Sequence, residues 1–171
     1  IDLVFGVAGS ILIVPVWLVA FIGKIVTGDH GPVLISLVRV GKNGRRFYYY
    51  KFRTMYMDAR DRYDKWILDG KKEKDPRFTP VGRMLRALRL ENLPSAWNVL
   101  WGDMSMVGNP APSLPEFIEY SAFHRKSLSV KPGIIGFWQV YSREHRLLTE
   151  EEQSEYDQEY ILNWTVGLDL R

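Results

Sequence analysis

From Leu3 to Gly23 the chain runs 21 consecutive residues without a charge. As a helix, a run of that length covers roughly 30 Å of hydrocarbon. A secretory signal fits poorly, because the run has no basic start and is too long. Pro15 stands at its centre, in LIVPVWLVAF. Proline removes an amide and clashes with the preceding turn, so the helix is expected to break or bend there. Two placements stay open on this evidence. A kinked span would put its ends on opposite sides of a bilayer, whereas a re-entrant helix would return both to one face. In either case the basic residues that follow (Lys24, Arg39, Lys42, Arg45, Arg46, Lys51, Arg53) put the bulk of the chain on the cytoplasmic side. The chain therefore divides into a membrane-embedded segment, 1–26, and a cytoplasmic domain, 27–171.

A chain of 171 residues can bury one sizeable core. Its net charge of +3 is too mild for a nucleic-acid partner. Without cysteine there are no disulfides and no thiolate metal sites, which favours a reducing compartment. Six Trp and nine Tyr suit a membrane–water boundary, or an aromatic-rich soluble core. Ile1 is not an initiator, so a piece of a longer chain is expected. The three histidines are scattered with no zinc spacing, and no Walker loop, GxGxxG or HExxH occurs.

Val33–Val40 and Phe47–Phe52 are rich in β-branched and aromatic residues and flank Lys42-Asn43-Gly44. Asn-Gly takes the positive φ of a tight turn, so a β-hairpin is predicted. Lys51 and Arg53 share one face of its second strand, where they either serve structure alone or grip a phosphate. Met57–Asp69 reads as a charged surface helix anchored by Tyr63, Trp66 and Ile67. Gly70–Pro80 is a basic loop, solvated or facing anionic headgroups. Asn109–Pro115 carries three prolines and should be a stiff connection. Phe117–Ser129 is expected to be a helix. Lys131-Pro132-Gly133 turns into IIGFWQV, a short strand, and Thr149–Glu152 is a capping box opening a last helix.

The stretch RMLRALRLENLPSAWNVLWGDMSMVG, from Arg83 to Gly108, concentrates the candidate chemistry. Arg83, Arg86 and Arg89 lead to one carboxylate, Glu91, and one amide, Asn92. Asn92 is a good N-cap and Pro94 suits a first turn, so a helix should start here. Trp97, Leu100, Trp101 and Met104 would form its apolar face. A helix start with converging arginines is a natural seat for phosphate.

Together these segments resemble the bacterial sugar transferase family, the monotopic polyprenyl-phosphate phosphoglycosyl transferases. The resemblance rests on ordered boxes along nearly the whole chain. Among them are Asp2-Leu3-Val4-Phe5, Pro15, Gly31-Pro32-Val33, Arg39-Val40-Gly41, Lys51-Phe52-Arg53-Thr54-Met55 and Gly82-Arg83. Later boxes are Asn98-Val99-Leu100, Gly102-Asp103-Met104-Ser105, Val107-Gly108, Lys131-Pro132-Gly133-Ile134, Trp138-Gln139-Val140 and Leu168-Asp169-Leu170. It implies an α+β, mostly helical fold: a re-entrant membrane helix, a β-hairpin and amphipathic interfacial helices around a small cytoplasmic catalytic domain. Since the family continues further, Arg171 looks like a truncated end.

The resemblance also implies a reaction at the bacterial inner membrane. A nucleotide-activated sugar, a UDP-sugar in the expected case, gives its sugar-1-phosphate to undecaprenyl phosphate. An aspartyl phosphosugar intermediate and Mg2+ take part in similar enzymes. On this chain the implied catalytic pair falls on Glu91 and Asn92. Lys51, Arg53, Arg83, Arg86 and Arg143 would hold phosphates, and Glu91, Asn92 and Asp103 the metal. The expected partners are undecaprenyl phosphate, nucleotide-sugar and membrane lipids, with a second copy or a glycan-assembly protein beside them. Three boxes depart from the family. Its Asp-Glu pair is Glu91-Asn92, which lengthens the nucleophile by a methylene and removes an anionic ligand, leaving a weaker magnesium site. Pro-Arg-Pro has become Asn109-Pro110-Ala111-Pro112, and Tyr141-Ser142-Arg143 lacks a glycine before the arginine. A catalytically silent scaffold paralogue is therefore the rival reading, and an ordinary bitopic anchor a third.

Overall fold

The computed structural model describes residues 2–68 and 75–136. The helix α1 (Asp2–Val26) is a single element with Pro15 inside it. Pro15 does not end the helix, since the amide it removes and the carbonyl it crowds are one hydrogen bond among many. In an apolar run the remaining backbone groups find no better partners than each other. By length and composition α1 could cross a membrane. Gly6, Ile13 and Ala20 are buried and Asp2, Gly9, Val16 and Gly23 half-buried, a seam repeating every seven residues. Away from that seam Leu3, Val4, Val14 and Val26 are at least two-thirds exposed.

The predicted hairpin is present as β1 (Leu34–Val40) and β2 (Arg46–Phe52), paired in a two-stranded sheet. Its turn, Lys42–Gly44, carries Asn43 at φ 57° and Gly44 at φ 78°, the left-handed pair that Asn-Gly supplies cheaply. The Gly41 amide donates to the Arg45 carbonyl at 2.8 Å and closes it.

Among the described residues the chain forms two compact units. One comprises residues 2–7, Leu37–Tyr49 and residues 95–136. It contains α4 (Ala96–Leu100), β3 (Ser105–Val107), α5 (Leu114–Glu119), α6 (Ala122–Arg125) and β4 (Gly133–Ile135), the elements α2 and α3 belonging to the other unit. β3 and β4 pair in parallel, Ser105 opposite Gly133 and Val107 opposite Ile135. The long connection a parallel pair demands contains α5 and α6. Phe47, Val99 and Met104 form the buried core, with Tyr49, Ala111 and Ile134 against it. Asn98, fully buried, donates from Nδ2 to the Tyr48 carbonyl at 2.7 Å, while its own carbonyl accepts the Asp103 and Met104 amides.

The helix predicted over Phe117–Ser129 is instead two short helices and a 3-10 turn. The first starts earlier, at a capping box of Ser113 and Glu116. The Ser113 amide bonds to Glu116 and holds that carboxyl below its ordinary value. The stiff prolyl connection lies along the hairpin edge, Val40 donating to the Pro112 carbonyl at 3.0 Å. The helix expected from Thr149 lies outside the described residues.

The other unit comprises Ala8–Ser36 and, apart from residues 69–74, Tyr50–Pro94. Here α2 (Ala59–Leu68) matches the predicted charged helix, but none of its residues is buried and Ile67 is 42% exposed. Tyr63 instead lies under the Arg77 guanidinium, 4.2 Å away, so a cation–π contact replaces the expected apolar anchor. α3 (Pro80–Ala87) is capped by Thr79, whose hydroxyl accepts the Gly82 amide at 2.8 Å. Gly82 meets the backbone of Thr54 so closely that a Cβ there would overlap the Thr54 carbonyl. A side chain at Gly23 of α1 would likewise overlap Val81. Phe52 and Leu85 are the most buried apolar side chains of this unit.

Candidate active site

Glu91 sits in a 3-10 turn, Leu90–Ser95, that follows α3. The chain enters it through Arg89 at φ 58°, a left-handed residue that is not glycine. Such a backbone costs an ordinary residue about 1–2 kcal/mol, and it turns the chain sharply after Leu88. Glu91 Oε2 is buried and, among the described residues, accepts no hydrogen bond. A buried carboxylate oxygen without a donor is costly unless something else meets it.

Asn92 is inside this turn and not the cap of an α-helix. The α-helix begins only at Ala96, after Ser95, which makes no side-chain cap bond. Pro94 explains the shift: the tighter turn absorbs it, and the helix starts once it is passed. Helix α4 turns its Ala96–Val99 side inward and leaves Leu100 37% and Trp101 63% exposed. Of the expected apolar face, Trp97 is half-buried and Trp101 mostly exposed. Met104 lies beyond the helix and is buried in the core.

The basic residues divide by role. Arg83 and Arg86 are exposed on α3, the Arg86 guanidinium resting 4.5 Å from the centre of the Phe78 ring. Lys51 is half-buried on β2. The Arg53 side chain is only 7% exposed, with its donors on protein acceptors: the Pro32 carbonyl at 2.7 Å, the Met55 carbonyl at 2.8 Å and the Asp29 carboxylate at 2.6 Å. It acts as a clamp in this structure, holding the segment after α1 against the end of the hairpin. Burial pushes Asp29 up. The Arg53 and Gly31 hydrogen bonds outweigh that and hold the carboxyl below its ordinary value. Glu91, Asn92, Lys51, Arg53, Arg83 and Arg86 belong to one unit and Asp103 to the other. Arg143 lies outside the described residues.

Among the described residues no three His, Asp or Glu side chains come together as a metal cage. That is compatible with magnesium, which is commonly held by one or two carboxylates plus substrate phosphates. The unpartnered Glu91 Oε2 is the oxygen that fits.

Two residues to which sequence reasoning gave no role stand out. Asp2 accepts from the Ser105 hydroxyl and the Met106 amide, each at 3.0 Å. Asn109, 3% exposed, has neither side-chain polar atom satisfied among the described residues. Asn109 had a signal, since it stands in a box that departs from the family pattern; Asp2 had only its place beside the apolar run.

The sequence pattern of the bacterial sugar transferase family matches residues 1–171. The chain belongs to that family. Over its whole length it is 36% identical to galactosyl transferase CpsE of Streptococcus agalactiae, covering 39% of that protein. Over 94% of the chain it is 36% identical to the undecaprenyl-phosphate galactose phosphotransferase of Salmonella typhimurium, covering 36% of it. It is also 32% identical to the exopolysaccharide production protein ExoY of Sinorhizobium fredii, of which it covers 78%. This sugar transferase chain thus spans little more than a third of the first two relatives.

Proposed function

We propose that this sugar transferase chain moves sugar-1-phosphate from a nucleotide-activated sugar, a UDP-sugar, to undecaprenyl phosphate at the cytoplasmic face of the bacterial inner membrane. Family membership supports the reaction class, and a relative named as an undecaprenyl-phosphate galactose phosphotransferase supports the acceptor. The observation that carries the role of Glu91 is its buried Oε2, which no described donor occupies.

In the first step a Glu91 carboxylate oxygen attacks the phosphorus next to the sugar. The bond to the bridging oxygen breaks, nucleoside monophosphate leaves with that electron pair, and a glutamyl phosphosugar remains. An oxygen of undecaprenyl phosphate then attacks the same phosphorus, forms the lipid diphosphate sugar and returns the carboxylate of Glu91. Splitting one hard displacement into two is what a carboxylate nucleophile contributes. Arg83 and Arg86, exposed on the helix that leads to Glu91, neutralise the diphosphate. Glu91 and Asn92 would hold a magnesium ion together with substrate phosphates, and such an ion would neutralise further charge on the diphosphate.

The chain in lipid nanodiscs, given undecaprenyl phosphate, magnesium and UDP-sugars, releases nucleoside monophosphate on this reading. Release disappears in Glu91→Gln and after chelation of magnesium. The amide at Asn92 favours a second reading, a silent scaffold or partner subunit of glycan assembly. No release from any donor by a folded, lipid-embedded chain would select it.

A further inference from the structure

We propose that the recess at the turn of the hairpin is a binding site for a small phosphate-bearing anion. The recess holds about 270 Å³ and lies wholly within the unit that contains β3 and β4. Lys42 and Arg45 line it from the turn and Lys131 from the approach to β4. Phe47, 7% exposed, and Gly102 and Asp103 complete the lining used here. Lys131 Nζ reaches across Gly102: a Cβ at that glycine would stand 3.4 Å from it. Gly102 itself is at φ +82°, so a larger residue there would be both strained and in the way of the ammonium.

The charge balance carries the argument. None of Lys42, Arg45, Lys131 or Asp103 forms an ion pair among the described residues, whereas Arg39, Arg53, Arg62 and Arg77 all do. Three cations on one recess repel each other, and among its described lining residues Asp103 is the one opposing charge. An anion seated among them removes that repulsion and gains charge-assisted hydrogen bonds from ammonium and guanidinium groups. Phe47, buried in the adjoining core, makes that side of the lining apolar, where charge-assisted contacts are stronger than in water. The volume lies just under the range of drug-sized ligand sites and suits a pyrophosphate or the head of a phosphoester. The inference is independent of Glu91, which belongs to the other unit.

Such a phosphate comes from a soluble phosphoester or from a lipid headgroup. The test uses the full chain in zwitterionic-lipid nanodiscs, titrated with pyrophosphate and followed by phosphorus NMR, with thermal melts confirming the fold of each variant. Saturable binding is expected, weakened about tenfold or more in K42A/R45A and in Lys131→Met. Glu91→Gln should bind as the parent does. Nanodiscs with phosphatidylglycerol separate the sources. Competition with pyrophosphate that vanishes in K42A/R45A assigns the recess to headgroups, and its absence assigns it to soluble phosphoesters. Unchanged binding in both cation variants, or loss of binding in Glu91→Gln, overturns the proposal.

Discussion

The clamp between Arg53 and Asp29 shows how much of a charge's role rests on its partner. Lys51 and Arg53 share one face at period two, and that period leaves a structural role and a grip on phosphate equally open. Asp29, 24 positions earlier, gives Arg53 a structural role, and nothing in local spacing signals that pairing. Both side chains are less than a tenth exposed, so Asp29→Asn leaves a buried guanidinium without its counter-charge. We expect a loss of about 3–5 kcal/mol, measured by thermal or denaturant unfolding. Because the Asp29 carboxyl is held below its ordinary value, its stabilisation is present above the unfolded value of about 3.9. It is lost as pH falls through the lower folded value. The acid limb of the stability curve should therefore flatten below about pH 4 in Asp29→Asn. Asn109 gives the opposite case. Since both its polar atoms are buried and, among the described residues, unmet, Asn109→Ala should leave stability unchanged or raise it by up to about 1 kcal/mol, read as the melting temperature.

Elements whose local chemistry decides their shape were legible in advance. The hairpin is one, since Asn43 and Gly44 adopt the positive φ values that Asn-Gly favours. The helix after Glu91 was not, because cap and proline signals at Asn92 and Pro94 are also compatible with a 3-10 turn. Tertiary packing of Ala96 and Val99 then set which side faces inward. Helix α3 escaped notice for a similar reason: Thr79 and Pro80 ended what reads as a basic loop. Its docking depends on the bare Cα of Gly82 against Thr54. Gly82→Ala forces the helix away from the end of the hairpin. A cost of about 3 kcal/mol is expected, seen as a lower denaturation midpoint, although alanine improves helix propensity.

At the scale of the molecule, the ordered boxes announced the family, and the family pattern indeed covers the chain. The division into two units was not legible, because each draws on segments far apart in sequence. The seam of α1 was equally hidden, since apolar and small residues surround it on all sides. Off that seam, Val14 is 69% exposed. A lysine there adds about 2.5–3.5 kcal/mol to burial in hydrocarbon. Val14→Lys is expected to release the chain from vesicles in a flotation assay while its far-UV circular dichroism stays unchanged. The two hydrogen bonds of Asp2 bear on how such a chain is made. Its carboxylate leaves the ribosome before its partners, since Ser105 and Met106 follow more than a hundred residues later. Until then the first turn of the helix has a charge with no fastening. At about 5–20 residues per second, that interval lasts several seconds, in which the first turn of the helix stands without the partners that later fix it.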